Sequence, residues 1–182
     1  MGMLTNGRVE IAAPAADVFD WLTDPAKLTT WLGAAGGMPE DASQLHVGWT
    51  STTDTPPLGK VTVEIIEYDP PTKLKYRSTY SGGDSIAGYQ LTEGEGVTTV
   101  VFEGDTDWAR PEGAWDAAVD KGLEGQPADI RAAAEAQLDQ VEDQLESGAF
   151  DDLAKGQMQQ ALDASLQKLK SLVEAAEPTA KA

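Results

Sequence analysis

Cysteine is missing from all 182 residues, and histidine occurs once, at His46. The first absence rules out disulfides, thiolate nucleophiles and every cysteine-ligated zinc or iron–sulfur centre. The second leaves almost nothing for imidazole-based metal chemistry. Basic residues are scarce as well, 13 against 31 acidic ones, for a formal charge of −18. Such a field repels phosphates and anionic membrane surfaces, so no nucleic-acid partner is expected. The charge reads as a solvated surface, with a basic partner as the alternative. No stretch approaches the roughly 18 apolar residues of a membrane span, and no basic-then-apolar leader is present, so a soluble cytoplasmic protein is the expectation. Missing too are the Gly-Lys-Ser phosphate loop, the dinucleotide glycine fingerprint, the Gly-x-Ser-x-Gly elbow and the His-Glu-x-x-His pair. No cofactor or metal is therefore expected, and no residue is assigned as catalytic.

What the chain does contain is organised around its last long helix. Over Gly156 to Ala176, Met158, Leu162, Leu166, Leu169, Leu172, Val173 and Ala176 recur on one stripe, with polar residues opposite. That face needs an apolar partner, and alternating strands upstream supply one. Thr5 to Ile11 alternates as a first strand. A helix from Pro14 carries Val18, Phe19, Trp21 and Leu22 inward and stops at Asp24-Pro25, and a second short helix runs to Leu32 before Gly33.

Leu45 to Thr52 reads as a strand with Leu45, Val47 and Trp49 on one face and His46 on the other. A long hairpin follows, Gly59 to Tyr68 and Lys73 to Tyr80 about Asp69-Pro70-Pro71-Thr72, with Leu74, Tyr76, Ser78 and Tyr80 inward. Ser85 to Thr92 and Val97 to Trp108 continue the antiparallel run across Glu93-Gly94-Glu95-Gly96. A curved antiparallel sheet results.

The string AAPAADVFDWLTDPAKLTTWLG after a first strand, then a run of strands and a closing LQKLKSLVEAA, resembles the SRPBCC superfamily. This is the START-like, helix-grip group that includes polyketide cyclase/dehydrase-like proteins, homologues of the chaperone-ATPase activators and lipid-transfer domains. The resemblance covers residues 5–108 and 156–176 and implies an α+β helix-grip fold, a curved antiparallel sheet wrapped around the C-terminal helix. It also implies that Trp31 matches the family tryptophan beside the cavity entrance. Residues 1–182 are then a single domain, since the length suits one core. Residues 109–152 depart from the family pattern as a helical insertion, with an acidic helix from Pro127 to about Glu146 whose narrow apolar stripe suits a lid, a dimer arm or plain packing on its own domain.

A helix laid on a curved sheet leaves a cavity wherever side chains do not fill it. The expected partner is therefore a small hydrophobic ligand, a lipid, polyketide or aromatic metabolite, held by Trp31, Trp49, Tyr76, Tyr89, Phe102, Leu162, Leu166 and Leu169. Two alternatives stand beside it. One is an enzyme of the cyclase/dehydratase kind, using tyrosines or carboxylates to move protons in the same cavity. The other is a chaperone-activator-like interaction protein meeting a basic surface through the acidic insertion. His46 points outward by strand parity, which disfavours it as a general base. Asp105 and Asp107 share a strand face, but two carboxylates without a ligand-dense loop are ordinarily solvated.

Overall fold

The computed structural model describes residues 2–32, 38–39, 41–55, 59–80, 83–108 and 149–176. Six strands form one antiparallel sheet in the order β1-β6-β5-β4-β3-β2, with β1 Gly2–Ile11, β2 Thr50–Thr55, β3 Gly59–Asp69, β4 Lys73–Tyr80, β5 Gly83–Gly94 and β6 Val97–Trp108. Two short helices, α1 Ala15–Thr23 and α2 Pro25–Leu32, connect β1 to the far edge, and α3, Ala149–Ala175, lies along β1. This is the α+β helix-grip arrangement expected from the sequence.

Capping explains the two short helices. Asp24 ends α1 by donating its backbone N–H to the Asp20 carbonyl, and its carboxylate opens α2 by accepting from the amides of Ala26 and Lys27 at 2.8 and 3.1 Å. One residue thus serves both helix ends, with Pro25 in the first turn where no amide is needed. The start of α1 is tied to the sheet: Ala15 N–H donates to Glu93 at 2.8 Å, and the buried Thr98 hydroxyl donates to the Ala13 carbonyl at 2.6 Å.

On the sheet, parity divides the chemistry. Inward stand Val9 and Ile11 of β1, Ile65 of β3, Leu74 of β4, Tyr89 and Leu91 of β5, and Val100 of β6, all buried and in one cluster with Val18, Phe19, Leu22, Leu28, Trp31, Leu166, Leu169 and Val173. Outward, Glu67 pairs with Lys73 and Lys75, and Glu64 pairs with Arg77. The Lys73 hydrogen bond holds the Glu67 carboxyl below its ordinary value, and the same bond raises the Lys73 ammonium. These partners are well exposed, so they set register more than stability.

The hairpin about Asp69 to Thr72, the inward placement of Leu74, and the strands β5 and β6 follow the sequence pattern. Three details do not. Instead of a strand from Leu45, a single 3-10 turn at Ala42–Gln44 leads into a loop, and β2 starts only at Thr50. The Asp41 carboxylate accepts from Ser43 N–H to form that turn, and Gly48 takes a φ of +87° that strand pairing does not allow, so only Gly48 and Trp49 bond to Ile65 across the gap. Val47 is consequently 59% exposed rather than facing the core with Leu45. In β3 the register shifts between Ile65 and Glu67, which returns Tyr68 to the inner face opposite Leu74, with its ring 5.9 Å from that of Phe19. Lastly, α3 begins at Ala149, so residues 149–155 are already helical and Gly156 lies inside the helix instead of opening it. The expected helix from Pro127 and the rest of the proposed insertion, 109–148, lie outside the described residues.

Candidate functional site

All eight residues expected to line the ligand space belong to one contiguous apolar cluster. Trp31, Tyr89, Leu166 and Leu169 are buried within it, while Trp49, Tyr76, Phe102 and Leu162 pack against it and keep part of their surface accessible. Trp31 is fixed by donating its indole N–H to the Trp21 carbonyl at 3.0 Å, and it meets Tyr89 edge-on with ring centroids 6.5 Å apart. Tyr89 in turn packs against Phe102 on the neighbouring strand at 5.1 Å. Helix α3 supplies the aliphatic side of the cluster.

How closely α3 approaches is visible at Gly7. A Cβ there would lie 2.4 Å from Leu166 Cδ1 and 3.2 Å from Leu162 Cδ2, so the bare backbone of β1 admits both leucines. The helix also completes the sheet's open edge. Gln159 donates to the Asn6 carbonyl at 2.7 Å, Lys170 donates to the Glu10 carbonyl at 2.5 Å, and Glu174 accepts from Ala12 N–H at 2.9 Å. Three polar side chains thereby occupy positions that a seventh strand would satisfy. The Ala12 amide, and after it Lys170, holds the Glu174 carboxyl below its ordinary value.

Beyond the apolar cluster the inner face becomes polar without becoming charged. Burial pushes the Tyr76 and Tyr89 phenols up, Tyr89 well above the ordinary range. Further along the strands stand Ser78 of β4, Ser85 of β5, Thr106 of β6 and Thr5 of β1. Ser85 and Thr106 are direct cross-strand partners whose hydroxyl oxygens lie 3.1 Å apart. Tyr80, which closes β4, is raised by burial and then by the carboxylates of Asp84 and Asp107 near it.

Neither this hydroxyl set nor Tyr68 was singled out from the sequence. Serine and threonine on a strand carry no periodic signal of their own, and a bulge is invisible to strict alternation. His46, exposed as expected, sits in the loop before β2 with Nδ1 donating to the Gln44 carbonyl at 2.7 Å, away from the cluster. Asp105 and Asp107 are exposed on the outer face. Among the described residues no three carboxylates or imidazoles come together as metal ligands. No described helix is long and apolar enough to cross a membrane.

A groove of about 110 Å³ does lie on the sheet, but on the outer side, over Gly88 between Lys73, Lys75, Gln90 and Glu103. Gly88 creates it, since a Cβ there would come 2.7 Å from the Leu74 carbonyl. Its lysines are already engaged with Glu67.

The family described as polyketide cyclase / dehydrase and lipid transport matches residues 5–146. No match was found among curated proteins. Among solved structures, the chain resembles DynU16 of the dynemicin biosynthetic locus at 18% identity and a TM-score of 0.51, covering 97% of this chain and 49% of that one. The chain therefore spans about half the length of DynU16. It also resembles MLL2253 from Mesorhizobium loti, at 16% identity and TM-score 0.54, over 94% of this chain and 98% of the other. A Rhodobacter sphaeroides protein aligns at 20% identity and TM-score 0.53, over 96% and 99%. At such identities the structural likeness speaks for the fold alone.

Proposed function

We propose, from the premise that this chain belongs to the polyketide cyclase / dehydrase and lipid transport family, that it binds a small hydrophobic ligand between the sheet and α3. The observation that carries this reading is the single apolar cluster joining Trp31, Trp49, Tyr76, Tyr89, Phe102, Leu162, Leu166 and Leu169. Trp49, Tyr76, Phe102 and Leu162 retain accessible surface and form the contact wall; the four buried residues hold that wall in place. Covering such a wall releases about 25 cal/mol for each Å² of apolar area removed from water.

Binding is favoured over proton chemistry by the inner face itself. Among the described residues, the acidic or basic side chains on the inward parity of the strands reduce to Glu93, whose carboxylate accepts from Ala15 N–H, the first amide of α1. Tyr76 and Tyr89 are kept neutral by burial, which makes them hydrogen-bonding groups and poor bases. Titration with the neutral dye Nile red, followed by displacement and by native mass spectrometry of gently purified protein, tests the reading. A saturable fluorescence increase that Tyr76→Ala and Phe102→Ala weaken by about tenfold together, roughly 1.4 kcal/mol, is expected. Absence of both dye binding and any retained ligand would refute it. Residues 109–152 complete the proposal as a lid or dimer arm, tested by deleting 125–148 and measuring dye affinity and mass in solution.

A further inference from the structure

The chain holds a single asparagine, Asn6, and it stands directly before Gly7. No aspartate precedes a glycine anywhere in the sequence. This is therefore the one place where such a side-chain carbonyl carbon is followed by an amide that no Cβ shields. The same dipeptide marks where α3 docks. Gly7 is buried and cannot be exchanged, since a Cβ there would lie 2.4 Å from Leu166 Cδ1. Asn6 is exposed on the outer face, directly opposite Glu103 of β6, and among the described residues its hydrogen bonds are made by its backbone. Packing fixes the glycine and leaves the asparagine's side chain unassigned.

Three restraints keep the Gly7 amide from that side chain. Gln159 holds the Asn6 backbone at two points, donating from Nε2 to its carbonyl at 2.7 Å and accepting from its N–H through Oε1 at 3.4 Å. With the Asn6 backbone turned toward α3, the alternation of an antiparallel ladder puts Gly7 in the hydrogen-bonded pair with Phe102, so its amide is engaged by β6. An antiparallel strand also keeps ψ near about +135°, which swings the following nitrogen away from the side chain. All three depend on β1 staying extended between β6 and α3. An edge strand stripped of its cover is among the first elements to open locally.

We infer that Asn6-Gly7 is a self-modification site gated by α3, shut under the docked helix and cyclising once the helix lifts. In the released strand the Gly7 nitrogen attacks Asn6 Cγ. The new C–N bond closes a succinimide ring, the Cγ–Nδ2 bond breaks, and ammonia leaves with the proton given up by the Gly7 amide. Water then opens the ring at either carbonyl, giving aspartate or an isoaspartate in which the main chain runs through Cβ and Cγ. Each product weakens the closed arrangement. Aspartate sets a carboxylate directly opposite Glu103, in a chain already at −18. Isoaspartate inserts an extra backbone carbon, which throws Gly7 to Ile11 out of register with β6 and carries the Gly7 notch from under Leu166 and Leu162. Opening of the seam is thus recorded covalently, whatever the chain binds.

The test is to incubate the intact chain in mildly alkaline buffer, with and without unfolding urea, and to follow Asn6 by peptide mapping that resolves asparagine, aspartate and isoaspartate. Conversion is expected to be at least about tenfold slower in the folded chain than in urea, the ratio set by a local opening of about 1.4 kcal/mol. Gln159→Ala, which frees the Asn6 backbone and keeps the leucines of α3, is expected to raise the folded-state rate about threefold, and Leu169→Ala about tenfold. Neither is expected to change the rate in urea. Thermal unfolding confirms that each variant is folded during incubation; should Leu169→Ala not be, Gln159→Ala decides alone. The converted chain is expected to exchange its β1 amides faster than the unconverted one. Equal rates in folded and unfolded chains, a folded-state rate unmoved by Gln159→Ala, no conversion in urea, or unchanged β1 exchange after conversion overturns the inference.

Discussion

The two ends of the inner sheet face are built by the same strands and do different work. Toward α1 and α2, Ile11, Ile65, Leu74, Leu91 and Val100 are at most 3% exposed and meet Leu166 and Leu169 of α3. A few residues along β1, β4, β5 and β6, the inward positions hold Thr5, Ser78, Ser85 and Thr106. Hydrophobic transfer at the first end supplies cohesion. At the second end these hydroxyls stand beside the smaller apolar side chains of Val63 and Ala87, so they add less to folding. Cohesion and polarity are thus separated along the length of single strands.

The sharpest way to break that separation is to hollow out the cohesive end. Leu169→Ala, at a fully buried position against the sheet, is expected to cost about 3 kcal/mol, read as a shifted denaturant midpoint with unchanged slope. A loss below about 1 kcal/mol would mean that α3 contributes little to the core. Next comes overpacking at the junction: Gly7→Val drives a branched side chain into Leu166 and Leu162 and is expected to cost about 2 kcal/mol. By the same measurement Ser85→Ala is expected to change stability by less than about 1 kcal/mol, because the hydroxyl bond it removes lies in a half-open site. Were Ser85→Ala as damaging as Leu169→Ala, the two ends would not be distinct.

The smallest effect concerns the seam outside both ends. The Glu174 carboxyl lies below its ordinary value of 4.5 in the folded chain, so its contribution is present above that pH and is lost as pH falls below it through the folded value. Glu174→Gln is expected to flatten the acid limb of the stability profile, to lower the neutral-pH midpoint only slightly, and to speed hydrogen exchange at the Ala12 amide.

Much of this fold is legible in the sequence because its signals are periodic. The α3 stripe, the Asp24-Pro25 break and the long hairpin each rest on a repeat or a turn residue whose physics is local. The segment before β2 was misread because Leu45, Val47 and Trp49 alternate like a strand, while Gly48 and the Asp41 turn decide the backbone. Tyr68 was hidden by a bulge, which one residue of extra chain creates without any marker. The apolar cluster could be placed in advance since aromatic and aliphatic residues on inward parity converge. The hydroxyl row could not: only the register between strands shows that Ser78, Ser85 and Thr106 align and that Thr5 lies diagonally from Thr106.

The capping of β1 by Gln159, Lys170 and Glu174 ties two hazards together. Lifting α3 to admit a guest would bare a ten-residue ribbon whose amides and carbonyls can recruit a matching ribbon from another molecule, the first step toward fibrils. On the binding reading proposed above, a ligand that enters from the side of β3 and β4 leaves that seam closed.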